Sequence, residues 1–222
     1  MSRLVAFAAV ALAGGALFAV VSPGLAQDAA VKAPAAVQRE ALTINRETAI
    51  FAGGCFWGVQ GVFSHVKGVV SATSGYTGGK SATAEYETVS TGTTGHAESV
   101  KVVFDPRQVN YADLLRIYFS VVTDPTEVNR QGPDEGPQYR TALFPLTPAQ
   151  AGVARSYITQ LASAHVYARP IATKLEAQQG FFPAEGYHQD FMARNPTYPY
   201  IVVNDQPKVD ALKSMFPHSW KS

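Results

Sequence analysis

Apolar side chains recur along this chain at two different periods, and the switches between them mark its elements. Residues 48–52, Thr-Ala-Ile-Phe-Ala, form a short apolar run that reads as a buried strand, broken by Gly53-Gly54. Phe56, Val59, Val62, Phe63 and Val66 then follow at helical spacing, so residues 55–66 are expected as a helix with Cys55 on its first turn. Residues 69–76 are strand-like, and residues 90–96, polar and glycine-bearing, form a loop. In residues 98–104 the period is two: Glu98, Val100, Val102 and Phe104 share one face, opposite Ser99, Lys101 and Val103. An acid therefore ends an otherwise apolar, inward-facing row. After Asp105-Pro106, residues 111–122 place Leu114, Leu115, Tyr118 and Val122 on one side of a helix.

Residues 124–138 have neither period and are rich in turn formers; loops this long in compact domains are usually functional or disordered, and a functional loop is expected here. Residues 139–144 read as a strand. Thr147 is a cap for the next helix, with Pro148 at its first position and Gln150 completing a capping box, and the helix runs to about Ser163. Residues 171–176 alternate like a strand, residues 181–190 form an aromatic turn entering a short helix, and residues 207–216 are the last helix. Strands and helices alternate with too few consecutive parallel units for a doubly wound sheet or a barrel. The expected fold is α/β (α+β), a two-layer sandwich with a ferredoxin-like core, over residues 46–222.

The opening of the chain is different. A positive start, Met1-Ser2-Arg3, precedes an apolar run over residues 4–21, and small Gly24 and Ala26 stand before a cleavage point after Ala26. Residues 1–26 are expected as a signal peptide and the protein as exported, in the periplasm; an uncleaved membrane anchor is the alternative. Residues 27–45 suggest a flexible tether. With 46% hydrophobic and 16% charged residues the chain is not disordered. It carries 18 Lys and Arg against 17 Asp and Glu, and loss of Arg3 with the leader balances them, so the electrostatic footprint of a nucleic-acid binder is missing.

Cys55 is the single cysteine. An intramolecular disulfide is impossible, and multi-cysteine zinc or iron–sulfur sites are excluded. In an oxidising compartment a lone thiol is either buried and inert or kept for reaction. Its place at a helix start favours reaction: unpaired amides and the positive end of the helix dipole should lower its pKa. Gly53 and Gly54 open the backbone beside it, and Phe56 and Trp57 offer walls for an apolar pocket. His96 and His188 lie in settings where capping or packing roles are at least as common as catalysis.

The segment Gly53-Gly-Cys-Phe-Trp-Gly58 resembles the A-type methionine sulfoxide reductases, the peptide-methionine (S)-S-oxide reductases. Similar blocks follow in order: Ser74-Gly-Tyr-Thr-Gly-Gly79, Glu85-Tyr-Glu-Thr-Val89, Thr94-Gly-His-Ala-Glu98, Arg130-Gln-Gly-Pro-Asp134, Gln138-Tyr-Arg140 and Phe182-Pro-Ala-Glu-Gly-Tyr-His-Gln189. The resemblance implies thiol-dependent reduction of free and protein-bound methionine (S)-sulfoxide, in repair of oxidised proteins, through a sulfenic acid on Cys55. It implies Glu98 as the acid, Tyr86 and Tyr139 as hydroxyl donors to the sulfoxide oxygen, Asp134 as the residue that orders the site, and Phe56 and Trp57 as the cradle for the substrate methyl group. It implies a monomer with neither metal nor bound organic cofactor.

Three departures stand out. Many relatives carry further cysteines near the C-terminus, and residues 190–222 hold none, so an external thiol is expected to resolve the sulfenic acid: a thioredoxin-like protein, a glutaredoxin or a small thiol. Thr123 and Pro137 replace a frequent His and Thr. The competing readings are a thiol peroxidase using the same cysteine and a peptide-binding module in which Cys55 is incidental. If the leader is cleaved where its small residues indicate, N-terminal sequencing of exported protein will begin at Gln27; a start at Met1 would favour the anchor.

Overall fold

The structure, a computed structural model, describes residues 30–41 and 45–222. The expected signal peptide lies outside the described residues. Strand β1 (Glu47–Gly53) leads into α1 (Phe56–Ser64), then β2 (Val69–Thr77), a four-residue helix α2 (Tyr86–Val89), β3 (Ala97–Phe104) and α3 (Tyr111–Ile117). The axis of α3 continues as a π-helical turn, Tyr118–Val122. Next come a two-stranded hairpin, β4 (Arg130–Gln131) and β5 (Asp134–Glu135), then β6 (Thr141–Phe144) and α4 (Pro148–Ser163). The chain ends with β7 (Lys174–Leu175), β8 (Phe181–Pro183), α5 (Phe191–Arg194), a π-helical turn Ile201–Asp205 and α6 (Gln206–Met215).

The main sheet has the order β7-β6-β1-β3-β2-β8 and is antiparallel except where β7 runs parallel to β6. Within it β1, α1, β2, β3, α3 and β6 form a βαββαβ unit whose strands lie in the order β6-β1-β3-β2, the expected ferredoxin-like core. Alternation sorts the side chains: Ala49 and Phe51 of β1 face the helices with Val100, Val102 and Phe104 of β3, whereas Ile50 and Ala52 join Ala142 and Phe144 on the other face. The row that begins with Glu98 therefore does point into the helical layer, and Glu98 itself is 3% exposed.

Local signals differ from the expectation in five places. Residues 171–176 contribute only the two-residue strand β7, and the supposed aromatic turn at 181 supplies the edge strand β8. At α4 the Thr147 hydroxyl accepts from the Gln150 amide as expected. The Gln150 side chain, however, reaches the Leu146 amide and the Thr48 carbonyl, joining the helix to β1. The long loop contains structure of its own, organised by Gln131, whose side chain bonds both the amide and the carbonyl of Asp124.

The fifth concerns the tether. Residues 30–41 are extended and docked, with Ala33 and Ala36 buried in the main core. No apolar period announces this, because a strap lying across two helices is held through its backbone. Ser120 accepts the Ala33 amide at 3.0 Å, Arg116 donates to the Ala33 carbonyl, Tyr157 donates to the Pro34 carbonyl at 2.6 Å, and Gln160 bonds the Val37 amide and the Ala35 carbonyl. At its far end Glu40 accepts the first amide of α3, from Tyr111. Each such bond contributes about 1 kcal/mol. Tyr157→Phe should accordingly lower stability by about 1 kcal/mol, seen as a lower urea midpoint at unchanged slope; an unchanged midpoint would show that the strap is not held there.

Candidate active site

The turn from β1 into α1 is made by glycine. Gly54 has φ +93°, and a Cβ there would fall 2.6 Å from the Cβ of Gln131, so both backbone conformation and space exclude a side chain. Cys55 follows as the N-cap of α1, one residue ahead of the expected first turn, and is 8% exposed. Its side chain leaves the first helical amide without a partner. Glu98 supplies one from β3: its Oε2 accepts the Phe56 N–H at 2.9 Å. Thiol and carboxyl are thereby fixed at the same helix start.

Charge near this point runs against the sequence expectation. The Cys55 pKa is raised, not lowered: burial is the main cause, and Glu98, Asp205 and Asp134, once ionised, add to it, with only the Trp57 amide pulling the other way. The helix start is real, but its dipole is overridden by desolvation and by acids arriving from three distant elements. Burial also pushes the Glu98 carboxyl up to about 8, against the Phe56 hydrogen bond that opposes it, so Glu98 holds its proton at neutral pH.

Tyr86, at the start of α2, and Tyr139, at the end of a short 3-10 turn (Pro137–Tyr139), are half-buried. Both phenols have raised pKa values, chiefly from burial and then from the charge of Glu98, with Cys55 also within electrostatic reach. They remain neutral donors. Asp134 stands on β5, where its carboxylate accepts a hydrogen bond from Tyr200; burial raises its pKa although that bond and Lys208 favour the charge. The structure thus brings Cys55, Glu98, Tyr86, Tyr139 and Asp134 into one electrostatic neighbourhood.

The two aromatic residues after the thiol separate. Phe56 is 1% exposed and belongs to the core, its ring against Tyr76 and His188. Trp57 is partly exposed, stacked on Phe191 with ring centres 3.8 Å apart and met edge-on by Tyr198 and Tyr200. Its indole N–H donates to His188 Nδ1 at 3.1 Å, which orients the ring. His96 is a structural clasp, accepting the Gly79 amide and bonding the Lys80 carbonyl.

Two residues missed by sequence reasoning complete the site. Tyr200 carried no local signal beyond being aromatic. Asp205 did carry one, an acid ending the apolar run Ile201-Val-Val-Asn-Asp205: it is fully buried, paired with Lys208 at 3.4 Å, and its Oδ1 lies so close to Gly58 that a Cβ there would sit 2.1 Å away. The residue Thr123 is buried with its hydroxyl unpartnered among the described residues.

This geometry now meets the comparisons with known proteins. The family model for peptide methionine sulfoxide reductase matches residues 47–220. The chain is 61% identical over 171 residues to "Peptide methionine sulfoxide reductase MsrA 2" of Mesorhizobium japonicum, covering 77% of this chain and 88% of the relative. A protein of the same name from Synechocystis is 50% identical over 176 residues, covering 79% and 82%. Among solved structures, reduced Mxr1 from Saccharomyces cerevisiae superposes with a TM-score of 0.64 at 27% identity, covering 73% of this chain and 92% of that one. Methionine sulfoxide reductase A of Corynebacterium diphtheriae gives 0.59 at 29%, covering 79% and 93%. The buried acid beside a lone thiol is thus the site of an oxidoreductase, and the chain belongs to the peptide methionine sulfoxide reductase family, A type.

Glu98 gives a stability test independent of turnover. Its folded pKa of about 8 exceeds the 4.5 of an unperturbed glutamate, so the native state binds the extra proton. That stabilisation is fully present below about 4.5 and is lost as pH rises through 8. Relative to the parent, Glu98→Gln should gain stability between pH 5 and 8, by up to a few kcal/mol. Parallel pH–stability curves for the two proteins would exclude a raised carboxyl.

Proposed function

We propose that this chain reduces the S epimer of methionine sulfoxide, free and in peptides and proteins, through a sulfenic acid on Cys55, and so repairs oxidised proteins. The observation that carries this reading is the hydrogen bond from the Phe56 amide to Glu98, which holds a protonated carboxyl next to the thiol. The sulfur of Cys55 attacks the sulfoxide sulfur while Glu98 protonates the departing oxygen. Tyr86 and Tyr139 donate hydrogen bonds to that oxygen as charge builds on it. The hydroxyl then passes from the substrate sulfur to the Cys55 sulfur as the bond between the two sulfurs breaks: methionine leaves with two electrons gained, and Cys55, two electrons poorer, keeps the hydroxyl. The thiol proton replaces the one that Glu98 gives. Trp57, with Phe56 behind it, walls the pocket for the methyl group, and Asp134, tied to Tyr200, orders the neighbouring loop.

The elevated thiol pKa fits a reaction that begins only when substrate is present. At rest the proton stays on sulfur; a bound sulfoxide, its oxygen accepting hydrogen bonds from neutral donors, makes transfer favourable. Resolution needs two thiols from outside, one to condense with the sulfenic acid and release water, a second to cleave the mixed disulfide. The donor is a thioredoxin-like protein, a glutaredoxin or a small thiol. The enzyme works outside the cytoplasm, a location that the leader-like pattern of residues 1–26 supports.

The test supplies the S and R epimers of a blocked methionine sulfoxide, and hydrogen peroxide, with dithiothreitol. Turnover of the S epimer is expected, abolished by Cys55→Ser and slowed roughly 10²- to 10⁴-fold by Glu98→Gln. Enzyme given the S epimer without thiol should gain one oxygen by mass. Preference for the R epimer or for peroxide would falsify the assignment.

A further inference from the structure

The block Phe182-Pro-Ala-Glu-Gly-Tyr-His-Gln189 supplies none of the groups that the reaction above uses directly, yet it is wrapped around them. Its Glu185 carboxylate bridges two elements: one oxygen accepts from the Tyr76 hydroxyl at 2.8 Å and the other from the Tyr86 backbone N–H at 2.9 Å. Tyr86 opens α2, which has four residues and an N-cap, Glu85, that makes no side-chain bond. A helix this short has no stability of its own, so its direction is set by whatever holds its ends. The acceptor for its first amide comes from 99 residues along the chain.

Tyr76, the other partner, is fully buried with its ring against Phe56. The carboxylate therefore ties the helix that carries Tyr86 to the core beside Cys55. Burial alone would raise the pKa of Glu185, but the Tyr86 amide, the Tyr76 hydroxyl and nearby His188 hold it below the usual carboxylate range, so the acceptor stays ionised. His188 rests its ring against Tyr86, with centres 4.4 Å apart, three residues beyond Glu185.

We propose that Glu185 is a positioning residue for sulfoxide reduction, its carboxylate aiming the Tyr86 phenol at the oxide oxygen by fixing the first amide of α2 against Tyr76. The proposal rests on the donor role given to Tyr86. Glu185 acts through Tyr86 and leaves the chemistry to the groups around Cys55.

A double-mutant cycle on the full chain separates this from general structural support. Glu185→Ala should lower kcat for the S epimer roughly tenfold with KM little changed, and Glu185→Gln, whose amide oxygen still accepts the Tyr86 N–H, should recover most of the loss. In the Tyr86→Phe background, which removes only the hydroxyl, Glu185→Ala should cost no more than about twofold further. A full tenfold loss in that background, or none in the parent background, would overturn the proposal. Amide hydrogen exchange supplies the readout that does not depend on turnover: exchange at Tyr86 should quicken in Glu185→Ala while the strands stay protected, and unchanged exchange would overturn the positioning. A parent without activity toward sulfoxide would sink the functional reading and leave the exchange result to decide whether Glu185 holds the helix.

Discussion

One amide at the start of α1 has to find an acceptor in a place where water is scarce. The first turn of any helix leaves its N–H groups unpaired, and the Cys55 side chain does not serve the first of them. Glu98 does, reaching from β3 across the sheet–helix boundary. That requirement sets the acid beside the thiol and draws it into the interior, where burial keeps its proton on against the pull of the same hydrogen bond. The glycine turn before Cys55 and the absent side chain at Gly58 serve the same end, because both let other elements close around the helix start.

Placing the thiol there exposes it to two opposed influences. The helix end favours the anion; burial and a set of nearby carboxyls favour the neutral form, and the second influence wins. This orders the chemistry. On the proposed mechanism, a thiolate standing ready would be open to any oxidant, whereas a thiol that ionises in company with a proton donor and a bound oxide is selective. The phenols of Tyr86 and Tyr139, kept neutral by the same burial, are suited to such a site because they donate without adding charge.

The strands and helices of the core were legible because each leaves a period in the chain: the alternation from Glu98 to Phe104 gave both the strand and the inward direction of the acid. The strap at residues 30–41 was not, because Ser120, Tyr157 and Gln160 bind its backbone and sequence pattern speaks only of side chains. Edge strand β8 is too short to show alternation, and at β7 the alternation of residues 171–176 overstates a two-residue strand. At the site, Cys55 was legible from its neighbours, but its pKa was not. The local sequence shows the helix that lowers it and hides Asp134 and Asp205, which arrive from 79 and 150 positions away. Tyr200 was hidden for the same reason, since its meaning lies in Asp134.

The gathering of Glu98, Asp134 and Asp205 has one more consequence. Each carboxyl is raised first by burial, and each lies within reach of another's charge, so a proton lost from one makes the next loss harder. Their ionisations are coupled, so none of the three titrates as an isolated acid. The charge at this helix start is therefore set by the carboxyls together and not by any one side chain.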